Sequence, residues 1–331
     1  MFGLLRAFLG ATNFHSPLLR TVVPTVGAAF AIQAAVSVPS ILAQTERFYD
    51  LSGSLTYLSC TALSLYLPVL RARAAAGGAG AVALGWPSIV KSLKGKSLAE
   101  GAFWDWRQLV VSAAVGVWAA RLGSFLFSRI TSDDGKDSRF DRIRSSPPKF
   151  FGVFMAQAVW VSLVLLPVTA LNAIPPTTFA SIPYFTPGTV LGVAMWIFGF
   201  FFEVTADLQK SQWSKEKKEK KHSEEFLTRG LWSKSRHPNY FGEITLWSGI
   251  ALTAASILTS SAGQKALGWS GSPTARLGAI LLAGASPAFT AFLLIKVSGV
   301  PLSESKYDKK YGDRKDYQEW KKNTPMLIPK L

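Results

Sequence analysis

The stretch 236-RHPNYFGE-243 brings a guanidinium, an imidazole, a carboxamide, a phenol and a carboxylate together within a few residues. Pro238 biases His237 away from helix. Asn239 is then the expected N-cap of the apolar segment that follows. The amide N–H groups of Tyr240, Phe241 and Gly242 sit at the positive end of that helix, an arrangement that favours anions, phosphate included. Arg236 and His237 stand just before it. Tyr240 offers a flat ring and a hydroxyl, and Glu243 an acceptor one turn inside. Together these groups suit a nucleotide-type ligand, with a phosphate, a ring to stack and a polar amide or ribose.

A second set lies upstream in 196-WIFGFFFEVTADLQK-210, where Glu203, Asp207 and Lys210 recur at offsets that share one helix face. Glu203 follows an unbroken run of apolar residues and Gly. A charge at such depth costs roughly 3 kcal/mol and usually faces a cavity; the plain alternative is a carboxylate near the interface. Arg121, in 117-VWAARLGSFLFSR-129, suits either an interface anchor or a bidentate partner for Glu203 or a phosphate. Arg139, Arg142 and Arg144, with Asp137 and Asp141 between them, read as an anion-binding rim or as an ordinary flank of a span. In 49-YDLSGSLTY-57, Asp50 suits a helix start, and Tyr57 either presents a hydroxyl to a buried ligand or is a routine membrane aromatic.

These residues need membrane helices to position them. The chain has 331 residues, 49% hydrophobic and only 17% charged, against about 25% charged in soluble domains. Uncharged or nearly uncharged windows fall at 21–44, 51–70, 108–128, 150–171, 189–206, 241–260 and 277–297. A bilayer core needs about 20 apolar residues per helix. The expected fold is therefore an all-α, polytopic bundle of about seven transmembrane helices, in contact with the lipid bilayer. The formal charge of +16 fits basic loops that hold the cytosolic side, and no nucleic-acid partner is expected. By that rule the basic loop 207–236 and the tail 301–331 share the cytosolic side, and the proline-rich loop 172–188 is opposite. The segment 71–105 departs from strict alternation, and its glycine-rich middle, 74–90, reads as a re-entrant piece, a weak span or a flexible insertion. Within 71–105, Gly78-Ala79-Gly80 mimics a dinucleotide fingerprint without its strand, and Gly95-Lys96-Ser97 mimics a phosphate loop without its first Gly. The run 215-KEKKEKKHSEE-225 reads as a solvated helix face with His222 in solvent. The single Cys60 excludes a disulfide framework and a Cys-based zinc site. No metal is expected, and nothing identifies a protein partner. The acid-free first 45 residues suit a short end before a first span, with a mitochondrial presequence as the alternative.

The segment 227-LTRGLWSKSRHPNYFGEITLW-247 resembles the signature of the membrane reductases that include steroid 5α-reductases and sterol C14/C7 reductases. It is closest to an uncharacterised branch that shares the steroid 5α-reductase C-terminal domain. The blocks 203-EVTADLQKSQW-213, 137-DSRFDRIR-144 and 298-SGVPLSESKYDKKYGDRKDYQEWKKNTPMLIP-329 agree with it. The resemblance covers about 107–331, which sets an N-terminal membrane part, 1–106 with a divergent insertion at 71–105, against a reductase-like membrane domain at 107–331. It implies an endoplasmic-reticulum enzyme with an NADPH pocket closed by the basic loop and tail. Its cofactor-binding residues would be Arg121, Arg144, Glu203, Asp207, Lys210, Arg236, His237, Asn239, Tyr240, Glu304 and Tyr317, with Tyr307 in the same closing block. The implied reaction is reduction of an activated C=C bond in a lipophilic small molecule such as a steroid, sterol or fatty enoyl compound, with Tyr240, Glu243 and Tyr57 as catalytic candidates and Asp50 as a further polariser. Where sterol reductases have Arg and Asp before the tail glutamate, this chain has Leu302 and Ser303. Two rival classes remain. One is an S-adenosylmethionine-dependent membrane methyltransferase of the isoprenylcysteine or phospholipid type, which shares the Arg-His-Pro turn but carries paired glutamates where this chain reads Ser303-Glu304-Ser305. The other is a non-catalytic lipid-binding protein of the same fold.

Overall fold

The computed structural model describes residues 2–85, 87–94, 100–132 and 137–330. The protein is all-helical and integral to the membrane, with no strand among the described residues. In hydrocarbon each segment must satisfy its own backbone N–H and C=O groups, which a helix does internally. In chain order the helices are α1 (Phe2–Ala11), α2 (Pro17–Leu42), α3 (Tyr49–Ala83), α4 (Ile89–Leu93), α5 (Trp106–Ser132), α6 (Pro147–Val164) and α7 (Leu166–Asn172), followed by α8 (Pro187–Lys218), α9 (Pro238–Leu258), α10 (Ser261–Ala266), α11 (Pro273–Phe292), α12 (Val300–Tyr311) and α13 (Lys315–Asn323). Proline opens α2, α6, α8, α9 and α11: at a first helical position its fixed φ helps and its missing N–H costs nothing.

Seven helical stretches are long and apolar enough to cross a bilayer, and they coincide with the seven apolar windows. The glycine-rich part of 71–105 prolongs the second of them. Helix α3 runs on from that span and breaks at Gly77, whose φ of +66° suits Gly alone. Residues 78–80 are helical; Gly95, Lys96 and Ser97 lie outside the described residues.

The chain divides into two compact units, one of Met1–Thr189 with Thr253–Ala285 and the other of Val190–Leu252 with Ser286–Leu331. In the first, α3 packs on α2 and α5, and α2 on α6. Polar side chains tie these helices together inside. Gln33 Nε2 donates to Thr56 Oγ1 at 2.8 Å, Ser52 Oγ to Gln157 Oε1 at 3.3 Å, and Asn172 Nδ2 to Ser64 Oγ at 2.9 Å. Such bonds are worth about 0.6 kcal/mol each in membrane proteins. At one end of this unit Glu46 is buried and accepts a forked pair from Arg144, at 2.5 and 2.8 Å. Burial works to raise the Glu46 carboxyl pKa, but the Arg144 fork and the Asp137 amide outweigh it and hold it below the usual carboxylate range.

Candidate functional site

The second unit contains α8 to Leu252 of α9, with α12 and α13. Helices α8 and α9 approach closely and antiparallel. A Cβ at Gly242 would lie 2.6 Å from the Glu203 nitrogen, and one at Gly249 2.4 Å from the Gly192 oxygen. This contact buries Glu203 and Asp207, leaving 2% and 7% of their surface exposed. One turn separates the two acids, and Asp207 Oδ1 accepts from Asn239 Nδ2 at 3.2 Å. Helix α9 starts at Pro238, so Asn239 lies inside its first turn and does not cap it. Its amide N–H turns sideways to Asp207, which leaves Asn239 Oδ1 buried with no hydrogen-bond partner. The expected N-cap at Asn239 is thus corrected: a buried carboxylate one helix away outcompetes the local cap.

The Arg236-His237 turn is held from the C-terminal tail. The Arg236 amide donates to Pro325 O at 2.9 Å, and the Lys330 amide to Lys234 O at 2.9 Å. Ser235 is fully buried, and its hydroxyl donates to Leu327 O at 2.8 Å. With the backbone pinned, the Arg236 side chain spreads over three acceptors: Nε donates to Glu304 Oε1 at 2.9 Å, and Nη1 to Lys321 O at 2.6 Å and Thr324 O at 3.3 Å. Glu304 Oε1 also meets His237 Nε2 at 3.2 Å, and Oε2 meets Lys321 Nζ at 3.3 Å. A carboxylate only accepts, so His237 donates through Nε2 and its neutral tautomer is fixed.

Burial pushes the His237 pKa below its ordinary value, with Glu304 pulling the other way. A His whose folded pKa lies below its unfolded value favours folding above the unfolded value near 6.5 and loses that contribution as pH falls. Thermal stability should therefore decline between about pH 7 and 5. His237→Gln should flatten the decline; an unchanged slope in that variant would assign it to other groups.

These residues line a cleft that is closed on its other side by Tyr307 and Ser303 of α12, Tyr317 and Trp320 of α13, and Phe226 of the basic loop. The aromatic rings pack on one another, Phe226 against Tyr317 at 5.4 Å and against Trp320 at 5.3 Å. Trp320 Nε1 is buried without a partner. Lys210 extends along the cleft over the Trp232 ring, 5.1 Å from its centroid. Trp232 in turn donates to Ala206 O at 3.0 Å, which fixes the basic loop on α8. Tyr317 donates to Asp308 Oδ1 at 2.8 Å; burial and that acid raise its pKa, so its hydroxyl stays protonated. The cavity is narrow, about 60 Å³, against roughly 300–1,000 Å³ for ordinary ligand pockets.

Of the residues singled out from the sequence, Lys210, Arg236, His237, Asn239, Tyr240, Glu304, Tyr307 and Tyr317 line this one cleft, and Asp207 is bonded to Asn239 beside it. The Tyr240 ring does not offer both faces to a ligand. His237 stacks on it at 5.2 Å and 3° between planes, and Gly299 comes so close that a Cβ there would lie 2.9 Å from Tyr240 Cε2. Glu243 is half-buried on α9 one turn beyond Asn239, and Glu203 is buried at the contact of α8 with α9.

Arg144, Arg121, Tyr57 and Asp50 belong to the first unit. Arg144 pairs with Glu46. Arg121 sits over the Phe125 ring. Tyr57 is buried edge-on against Trp118 and Trp160, with both centroids at 5.1 Å. Asp50 lies within 3.9 Å of Arg129 and 3.8 Å of Arg139. His222 is not in open solvent: its ring stacks on Trp213 at 5.2 Å, because the helix ends at Lys218 and the chain folds back. Sequence reading missed Lys321, Trp320 and Phe226. The spacing of Tyr317, Trp320 and Lys321 along one face of α13 is the signal that could have found two of them.

No curated protein and no solved structure matches the chain. A model of a family described as a protein of unknown function, DUF1295, matches residues 73–324 and so includes every residue of the cleft. Since that match covers well over half of the 331 residues, the chain belongs to the DUF1295 family.

Proposed function

We propose that this protein is a membrane-embedded, NADPH-dependent reductase of an activated C=C bond in a lipophilic substrate, of the steroid 5α-reductase type and resident in the endoplasmic reticulum. The observation that carries this reading is the gathering of Lys210, Arg236, His237, Asn239 and Tyr317 around one cleft, the same residues that the resemblance marks for the cofactor. The residues fit such a group chemically. Arg236 and Lys210 supply cations for phosphate. Asn239 Oδ1 is a buried acceptor in want of a donor, such as a carboxamide NH₂. The aromatic wall suits a ring. The narrowness of the cleft implies that its walls part to receive a dinucleotide.

NADPH, when bound, supplies the hydride for the carbon β to the substrate carbonyl. The chain's own tasks are to orient that pair, to keep water out, to polarise the carbonyl oxygen and to deliver a proton to the α carbon. Tyr240, whose hydroxyl can donate, is our candidate for the polar partner of the substrate oxygen, and Glu243, one turn further along α9, is in its protonated form our first candidate for the acid that delivers the proton to the α carbon. Removing such a group costs about 10²–10⁴ in rate. Glu243→Gln should therefore lower enone reduction at least 100-fold with NADPH affinity unchanged.

The test is titration of purified protein in detergent with NADPH and with S-adenosylmethionine, read by quenching of the tryptophans in the cleft. Saturable binding of NADPH alone is expected. Binding of the methyl donor alone would assign the methyltransferase reading instead, and binding of neither would favour a lipid-binding role.

A further inference from the structure

Helices α12 and α13 form a hairpin tied down at both ends. At one end the chain leaves α11 through a π-helical turn, Leu293–Val297, then Ser298 and Gly299. Such turns interrupt the regular helical ladder and recur at functional sites. At the other end Thr324 leads into the strip that is bonded to residues 234–236. Between these ends the hairpin holds the turn before α9 through one side-chain carboxylate, Glu304, and one main-chain carbonyl, Lys321 O, which accepts from Arg236 Nη1 at 2.6 Å. Glu304 accepts from Arg236 at 2.9 Å and from His237 at 3.2 Å. Tyr311 adds a hydroxyl bond to Glu225 at the hairpin's far corner, 3.0 Å.

The same carboxylate has a partner within the hairpin itself: Lys321 Nζ lies 3.3 Å from its other oxygen. Glu304 therefore keeps a counter-ion whether or not it holds Arg236. Asp308, 2.6 Å from Lys321, moves with them. The cleft is too small as it stands for any nucleotide, and Arg236 is already engaged by an acid of the chain.

We propose that the α12–α13 hairpin is a flap and that Glu304 is its latch. In the closed form Glu304 takes the place of an anionic ligand group on Arg236. An incoming phosphate displaces both Glu304 and the Lys321 carbonyl from Arg236, Glu304 falls back on the Lys321 ammonium, and the hairpin swings about Gly299 and Thr324 to open the cleft. The opening itself needs no ligand of any particular kind; that the displacing phosphate belongs to NADPH rests on the reading above.

The two partner sets give opposite expectations. Glu304→Gln removes the latch and should favour the open flap. Lys321→Gln removes the fallback partner, weakens the open form more than the closed one, and should favour closure. Spin labels at the exposed positions Lys215 and Glu319, in the full-length protein in nanodiscs without ligand, report both. The unaltered latch is expected to give a short distance with a minor long component. That long component should become dominant in Glu304→Gln and disappear in Lys321→Gln, and NADPH should associate about tenfold faster with Glu304→Gln. Unchanged distances in Glu304→Gln, or lengthening in Lys321→Gln, would overturn the flap; should Glu304→Gln fail to fold, the direction in Lys321→Gln decides alone. Opposite shifts in the two variants with no NADPH binding in any form would uphold the flap and sink the cofactor reading.

Discussion

Arg236→Ala should lower NADPH affinity about 100-fold or more, while the protein still inserts in the membrane. Charge-assisted hydrogen bonds contribute roughly 1.5–3 kcal/mol each, and a tenfold change is about 1.4 kcal/mol. The loss of a fork to a phosphate accounts for the expected change. Arg236 also binds Lys321 O, Thr324 O and Glu304, so some loss of stability will accompany it. Arg236→Lys separates the two effects. Lysine keeps the charge but not the planar fork, and should recover stability more fully than affinity. Asn239→Ala should weaken NADPH comparably through a different group, since it removes the buried acceptor Oδ1 and the hydrogen bond that Asn239 Nδ2 donates to Asp207. Affinity unchanged in both Arg236→Ala and Asn239→Ala, measured by calorimetry, would remove these residues from the site.

The spans were legible because a bilayer imposes length and apolarity on each of them, and both survive in composition. Asp207 and Asn239 each stood out in the sequence as a polar residue bordering an apolar run. What linked them was not legible, because it depends on α8 and α9 meeting through glycines, and a glycine in sequence does not say what it approaches. Asn239 shows the consequence. Local rules made it a cap, and a buried acid on another helix claimed it. Tyr240 was visible as a ring in the sequence, but the stacking of His237 on it and the close approach of Gly299 were not. Arg144 illustrates the ambiguity of charge patterns. An arginine in a mixed-charge flank suits a phosphate and a carboxylate alike, and only coordinates reveal Glu46, almost 100 residues earlier in the chain. The tail was legible as a closing block by resemblance, whereas the role of Glu304 as the hub of three cationic or imidazole partners required the fold.

Gly249→Ala should destabilise the protein by about 2–3 kcal/mol, in the range seen for overpacked interiors, although a single methyl is all it adds. That methyl would sit 2.4 Å from Gly192 O and 2.7 Å from the Trp196 nitrogen. Both obstacles are backbone, so no side-chain rotation relieves them and the two helices must separate. Gly152→Ala is the control: nothing lies within 4 Å of its Cβ, and alanine in a helix interior gains about 0.5–1 kcal/mol over glycine. Thermal unfolding in detergent should thus move in opposite directions for the two variants. Gly242→Ala connects this packing to the site. Its methyl would meet the Glu203 nitrogen at 2.6 Å, and pushing α9 from α8 there pulls Asn239 away from Asp207. Gly242→Ala should therefore weaken NADPH binding as well as stability, whereas Gly249→Ala, two turns further along α9, should act on stability more than on affinity. Equal stability in Gly249→Ala and Gly152→Ala would mean that α8 and α9 do not meet through these glycines, and the positions of Asp207 and Asn239 would lose their explanation.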